Sequence, residues 1–244
     1  LDQEPFKDVR VRRALAMASN WKEVLETNSW SQGGYGLPNP AIPAAFREWS
    51  IPLDQLPAEG RKLYDFDPSE SKRLLAEAGY SNGLKITTET TAGYGPDFMD
   101  GVEVTLAGWK KGGIEAELKM KEYGAFVSSA IFGKFDKTAT GLFGGWADPD
   151  SYLYRYFIPG QVLNASGVND PKLTEMIKLQ RRTFNVAKRR EIIYDIQRYI
   201  STQVYALYGP SVNAVAGWEP YVKNFAPNIG HDYGGRLMAA WLDR

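Results

Sequence analysis

The stretch Gly144-Gly145-Trp146-Ala147-Asp148-Pro149-Asp150-Ser151 gathers the side chains best suited to handle a small molecule, an indole ring followed by two carboxylates. Three readings fit it. Two acids beside an aromatic platform are the equipment of a carbohydrate hydrolase, in which the carboxyl groups flank the scissile bond at ~5 to 9 Å from one another. Asp148 and Asp150 straddle a proline on one loop, which is not an obvious way to flank a bond. The same residues can instead line a binding site without reacting. Third, Asp148-Pro149-Asp150-Ser151 reads as a capped turn leading into a helix.

Other candidates are single residues. Tyr94 stands between Gly93 and Gly95, where it either faces a ligand or packs on its own loop. Tyr35 and Trp49 belong to a stretch rich in Gly, Pro and aromatic residues, and Arg155 pairs either with an anionic solute or with Asp150. The one histidine, His231, has no spaced partners, so no metal site is expected, and no cofactor is called for. Absence of cysteine removes thiol nucleophiles, disulfides and the usual zinc sets. Lys plus Arg and Asp plus Glu both total 29, and no long basic stripe offers a surface to nucleic acid. No run approaches the ~20 apolar residues of a membrane span, and Leu1-Asp2-Gln3-Glu4-Pro5-Phe6 has no signal-peptide character.

The elements that must position these residues follow from caps and periodicity. Hydrophobic residues at 43% and charged residues at 24% favour a packed core. Asp8 caps a first helix with Val11, Ala14, Leu15 and Ala18 on one face and Arg10, Arg12 and Arg13 mostly off it. Asn20 and Glu23 make a capping-box pattern for a second. From Ser31 to Pro57 an ordered aromatic loop is expected. Asp67, Pro68 and Glu70 then open a helix that Gly79 ends.

A strand at Leu84 to Thr90, a helix from about Asp97 to Lys111 and a strand at Ile114 to Glu122 form a βαβ unit, whose two strands run parallel. In the second strand Ile114, Ala116, Leu118 and Met120 alternate with Glu115, Glu117, Lys119 and Lys121, one face buried and one wet. A short helix at Gly124 to Ile131 and a strand at Lys137 to Phe143 extend the sheet to at least three strands. The segment around Trp146 then falls on a loop at the carboxyl end of the third, where open α/β sheets present ligands. Helices headed by Asp170-Pro171 and Asn185 follow, and beyond Gly209-Pro210 the chain turns irregular.

Four of these segments resemble, in order, the peptide/nickel-binding family of extracellular solute-binding proteins (family 5). Pro5-Phe6-Lys7-Asp8-Val9-Arg10-Val11-Arg12-Arg13-Ala14-Leu15 is similar to its PF-x-D-x-RVR-x-AL signature. Tyr64-Asp65 through Leu74-Leu75-Ala76-Glu77-Ala78-Gly79-Tyr80 resembles its LLAEAGY helix, and Trp109-Lys110-Lys111-Gly112-Gly113-Ile114 its helix-to-strand junction. Arg189-Arg190-Glu191-Ile192-Ile193-Tyr194 through Gln197 resembles its late R-x-x-x-Y-x-x-x-Q helix.

The resemblance implies an α/β, type II periplasmic-binding-protein-like lobe. It implies that residues 1–211 are the second lobe of a receptor and 212–244 a returning tail that packs on an N-terminal lobe lying outside this sequence, together with a leader and a lipid-anchoring cysteine. Such a receptor captures a small solute, for example an oligopeptide, between its lobes and hands it to a membrane ABC permease from the periplasm or cell exterior, with no chemistry of its own. In the family, Trp146 would face the solute. The acid that meets a peptide ammonium would be either Asp148 moved closer or a residue deleted here, Asp148 then matching the later acid before Pro. Tyr94, Tyr35 and Asp150 complete the expected ligand set. The apolar tail, deprived of its lobe, is expected to favour self-association or displacement.

Overall fold

The computed structural model describes residues 1–27, 35–36, 40–142, 144, 148–212, 218–225 and 240–243. Helix α1 (Val9–Met17) begins at the expected cap, with Asp8 Oδ1 accepting from Arg10 N at 2.8 Å. Its Val11, Ala14 and Leu15 are buried, as is Ala18 just past its end. In α2 (Trp21–Thr27) the Asn20 carboxamide accepts from Glu23 N at 3.2 Å and donates back to the Glu23 carboxylate at 2.7 Å. After β1 (Tyr35–Gly36) the aromatic stretch continues from Pro40 in two 3-10 turns, Ala44–Trp49 and Leu53–Gln55, anchored by buried Ile42 and Ile51. A short α3 (Ala58–Lys62) leads to α4 (Pro68–Glu77), where Asp67 caps Ser69 N and Glu70 N at 3.1 and 2.9 Å.

The sheet comes next. Strand β2 (Leu84–Thr90), helix α5 (Pro96–Lys111) and strand β3 (Ile114–Met120) form the βαβ unit, with the strands parallel and in register from Leu84↔Ile114 to Thr90↔Met120. Helix α6 (Tyr123–Ser129) leads to β4 (Thr138–Ala139), which joins the free side of β2 in parallel and gives the order β3-β2-β4. This third strand is shorter than its expected span, and Phe143 at its expected end lies outside the described residues. Helix α7 (Asp150–Phe157) follows Asp148-Pro149. The pair α8 (Pro171–Arg181) and α9 (Val186–Gln203) is capped by Asp170 and Asn185. Finally β5 (Ser211–Val212) returns to pair antiparallel with β1, and β6 (Val222–Lys223) pairs antiparallel with β7 (Trp241–Leu242).

Two apolar cores result. One packs α1, α4 and α5 on a single face of the sheet through Val11, Leu15, Leu75, Leu84, Ile86, Trp109 and Ile114. The other joins α7, α8, α9 and the aromatic stretch through Ile42, Leu153, Leu173, Ile177, Ile193 and Ile196. The alternation in β3 is only partly buried: Met120, expected inside, is 49% exposed, because the first core reaches along the sheet no farther than Ile86 and Ala116.

Arginines tie the two cores. Arg12 Nε donates to Gln203 O and Val204 O at 3.1 and 3.0 Å, and Arg12 Nη1 to Phe6 O at 2.7 Å. Arg13 donates through Nε and Nη2 to Thr202 O. Helix α9 thus has its last carbonyls satisfied by α1, where a helix end otherwise leaves them orphaned. The chain then turns through Val204, which takes a left-handed φ of 50° at the cap.

Candidate functional site

The carboxyl ends of the three parallel strands open onto one edge. After β2, Thr91 Oγ1 accepts from Gly93 N at 3.1 Å and starts a 3-10 turn, Ala92–Tyr94. A methyl group at Gly93 would stand 2.6 Å from the Tyr123 ring, so this close approach requires glycine. Tyr94 therefore lies edge-on to Phe98, Tyr123 and Phe126 at 5.0, 5.6 and 6.1 Å between centroids. Partial burial pushes its phenol pKa up. Gly141, just after β4, sits so close that a Cβ there would meet Phe126 at 3.1 Å and Tyr94 at 3.7 Å. One aromatic cluster thus closes all three strand ends, with Tyr123 and Leu142 48% and 59% exposed at its rim.

The Tyr94 ring packs on its neighbours, as its second reading expects, and is half-buried. Tyr123, Phe126 and Leu142 escaped the sequence reading. Their signal was position alone, each following a strand by a few residues.

The second part of the site is the segment ahead of α7. Trp146 lies outside the described residues, and so does His231. Asp148 Oδ1 accepts from Asp150 N at 2.8 Å and Asp148 O from Ser151 Oγ at 2.7 Å, which is the capped turn of the third reading. Both carboxylate oxygens of Asp148 also meet Arg189, at 3.0 and 2.6 Å. This two-pronged pairing holds the Asp148 pKa below the ordinary carboxylate range. Asp150 differs: burial pushes its pKa up against the pull of Arg181 at 3.3 Å and of a hydrogen bond donated by Gln180. Arg189 Nε donates to Gln180 Oε1 at 2.9 Å and closes the network.

Two acids with pKa values displaced in opposite directions are the mark of an acid and base pair. Here the pairing with Arg189 on α9 accounts for the displacement of Asp148, and burial for that of Asp150, which Arg181 and Gln180 on α8 oppose. Asp150 pairs with Arg181, and Arg155, expected there, makes no ion pair among the described residues. Trp49 lies beneath Arg189, 5.3 Å from the guanidinium carbon to the ring centre. Tyr35 falls in β1 opposite Val212, at the start of the returning segment. Among the described residues no cluster of acids or histidines could hold a metal, and no helix is long and apolar enough to cross a membrane.

Comparison with known proteins now bears on this arrangement. The model of "Bacterial extracellular solute-binding proteins, family 5 Middle" matches residues 1–164. A dipeptide-binding protein of Pseudomonas aeruginosa is 28% identical over 237 residues, 91% of this chain and 42% of that protein. Heme-binding protein A of Haemophilus influenzae is 29% identical over 155 residues, 62% of this chain and 26% of the relative. Among solved structures, the ABC transporter-associated periplasmic binding protein DppA from Helicobacter pylori, in complex with the peptide STSA, superimposes with a TM-score of 0.76 at 21% identity, covering 99% of this chain and 45% of that one. The chain spans less than half the length of these relatives.

Proposed function

We infer, since the chain belongs to family 5 of the bacterial extracellular solute-binding proteins, that it forms one lobe of a receptor that captures a small solute, such as an oligopeptide, for an ABC importer. Residues 1–211 are the lobe, and 212–244 a returning segment that rests on the partner lobe outside this sequence. The receptor works outside the cytoplasm, in the periplasm or at the cell exterior, and reaches the membrane through the importer. It releases its solute unchanged.

The observation that carries this reading is the aromatic cluster at the carboxyl ends of β2, β3 and β4, partly uncovered where such sheets meet their ligands. Sites of this kind are mostly apolar, with few polar groups to fix orientation. Tyr94, Trp146 and Tyr35 supply the aromatic wall. Asp148 and Asp150 belong to the site as the fixed end of the loop that carries Trp146, their oxygens already engaged by Arg189, Arg181 and Gln180. A peptide ammonium is then met by some other group, and the names of the relatives, for dipeptides and for haem, span more than one solute class. Trp218, Trp241 and Leu242 of the returning segment are about half exposed, and they are the surface through which copies of this lobe alone would associate.

The test is calorimetry on the full-length receptor with a panel of di-, tri- and longer peptides. We expect binding that Trp146→Ala weakens about tenfold or more while the melting temperature stays within a few degrees, since an open ring contributes little to the core. The reading fails if Trp146→Ala unfolds the protein or leaves binding intact. Hydrolysis of aryl glycosides that Asp148→Asn abolishes would favour the hydrolase instead.

A further inference from the structure

We propose that the turn joining α8 to α9 is a docking knob for an acidic protein surface on the importer, an inference that rests on the receptor reading above. Phe184, at the tip of this turn, is 97% exposed, and Leu179 and Val186 beside it are half exposed. An isolated exposed apolar residue needs no explanation, whereas an aromatic at full exposure on a rigid tip with apolar neighbours marks a contact site.

The tip is rigid. Thr183 Oγ1 donates to Leu179 O at 2.9 Å, and Asn185 caps α9 by accepting from Lys188 N at 3.0 Å.

Between Glu175 and Glu191 the charge has one sign. From Met176 to Arg190 the sequence holds Lys178, Arg181, Arg182, Lys188, Arg189 and Arg190 and no acid. Four of these are matched: Lys178 to Glu175 at 3.1 Å, Arg181 to Asp150 at 3.3 Å, Arg189 to Asp148 at 2.6 Å and Arg190 to Glu48 at 3.2 Å. Arg182 and Lys188, exposed on either side of Phe184, have no carboxylate among the described residues. An apolar anchor between two uncompensated cations fits a socket rimmed by carboxylates, since complementary charge steers encounter and sets orientation while a buried aromatic supplies affinity.

The knob is also wired to the solute site. Arg189, Gln180 and Arg181, immediately behind it, hold Asp148 and Asp150 at the end of the loop that follows β4. A partner seated on Phe184 therefore sits at the ends of the two helices that hold Asp148 and Asp150.

The experiment uses the full-length receptor and the importer reconstituted in nanodiscs, with ATP hydrolysis followed against receptor concentration in the presence of saturating solute. Phe184→Asp, and separately Arg182→Glu with Lys188→Glu, are expected to raise the receptor concentration for half-maximal stimulation about tenfold or more. Solute affinity and melting temperature should not change. Stimulation equal to wild type in both variants overturns the proposal, and so does a loss of solute affinity in either, which would make the turn structural. Vesicles of about 30% phosphatidylglycerol serve as the second arm. Binding to them that Phe184→Asp abolishes, with importer stimulation intact, would assign the knob to lipid and overturn the protein partner. If wild-type receptor binds solute and yet never stimulates the importer, the receptor reading itself falls, and the docking proposal with it.

Discussion

The half built on the sheet and the half built on α7, α8 and α9 hold themselves together differently. The sheet half packs an apolar core over one face, with short tethers such as Trp109 Nε1 to Ser19 Oγ and Ser71 Oγ to Gly112 O, both at 3.0 Å, and runs out of cover at its carboxyl end, where Tyr94, Tyr123 and Leu142 stand partly open. The helical half has an equally apolar centre, and its tethers reach the aromatic stretch and the segments ahead of α7 and α8. Gln197 donates to Trp49 O and accepts from Ile51 N, Tyr199 and Tyr205 donate to Asp170, and Arg189 grips Asp148. The candidate site lies on the seam. In the proposed site one half contributes partly open rings, and the other carboxylates already paired with Arg189 and Arg181. Asp148, Asp150, Glu89 and Lys121 beside it are all ion-paired already, which leaves the aromatic residues as the surface we propose to bind.

The largest effect that could sharpen this contrast is in the helical core. Ile196→Ala removes a fully buried side chain between α8 and the aromatic stretch, and should cost about 2 to 5 kcal/mol in urea unfolding of the full-length receptor. A loss under about 1 kcal/mol would show that the polar tethers, and not the apolar centre, carry that half.

Next in size is the link between the halves. Arg12→Ala deprives the carbonyls of Gln203, Val204 and Phe6 of their donor, and we expect about 1 to 3 kcal/mol of destabilisation. Lysine should not restore it, lacking the planar fork. If the halves are separate cooperative units, unfolding of Arg12→Ala followed by tryptophan fluorescence and by circular dichroism will no longer coincide.

The smallest effect concerns the two acids. Asp148 is largely solvent-exposed, so its pair with Arg189 should be worth no more than about 1 kcal/mol. Its folded pKa is depressed, so that contribution is present above the unfolded value near 3.9 and fades as pH falls through the folded one. Asp148→Asn and the wild type should converge in stability once the pH has fallen through that depressed value. Asp150 has the opposite sign. Its raised folded pKa makes the wild type lose stability as pH rises from about 3.9, so Asp150→Asn should hold its own or gain towards neutrality. Parallel pH profiles for the two variants would remove the distinction drawn between them.

How much of this could be read beforehand differs between the halves for the same physical reason. Strand β2 has the expected limits, and the caps at Asp8, Asp67, Asp170 and Asn185 are as expected, because alternation and capping are chemistry between near neighbours in the chain. Helix α7 was visible only as what a capped Asp-Pro-Asp-Ser turn would lead into, its Tyr and Phe content giving no clear period. The partner of Asp148 lies 41 residues away, and the carbonyl that Arg12 grips in Val204 lies 192 away. Arg12 and Arg13, placed off the apolar face of α1 from spacing, proved half-buried because another helix ends beside them. Likewise the meeting of Tyr94 with Tyr123 and Gly141 depends on strand order, which no local pattern encodes.

Strand β3 is the longer of the two outer strands in the three-stranded sheet, with one side of its backbone ladder unpaired among the described strands. An open ladder invites another chain to add itself, and a flat apolar edge would make the protein prone to fibre-like stacking. This edge carries Glu115, Glu117 and Lys119 along one face, with Glu115 bonded to Lys85 at 3.1 Å and Lys119 to Asp136 at 3.6 Å. An incoming strand would have to match that run of charged side chains or leave it stranded. Sheet extension between copies of this lobe through β3 is thereby disfavoured.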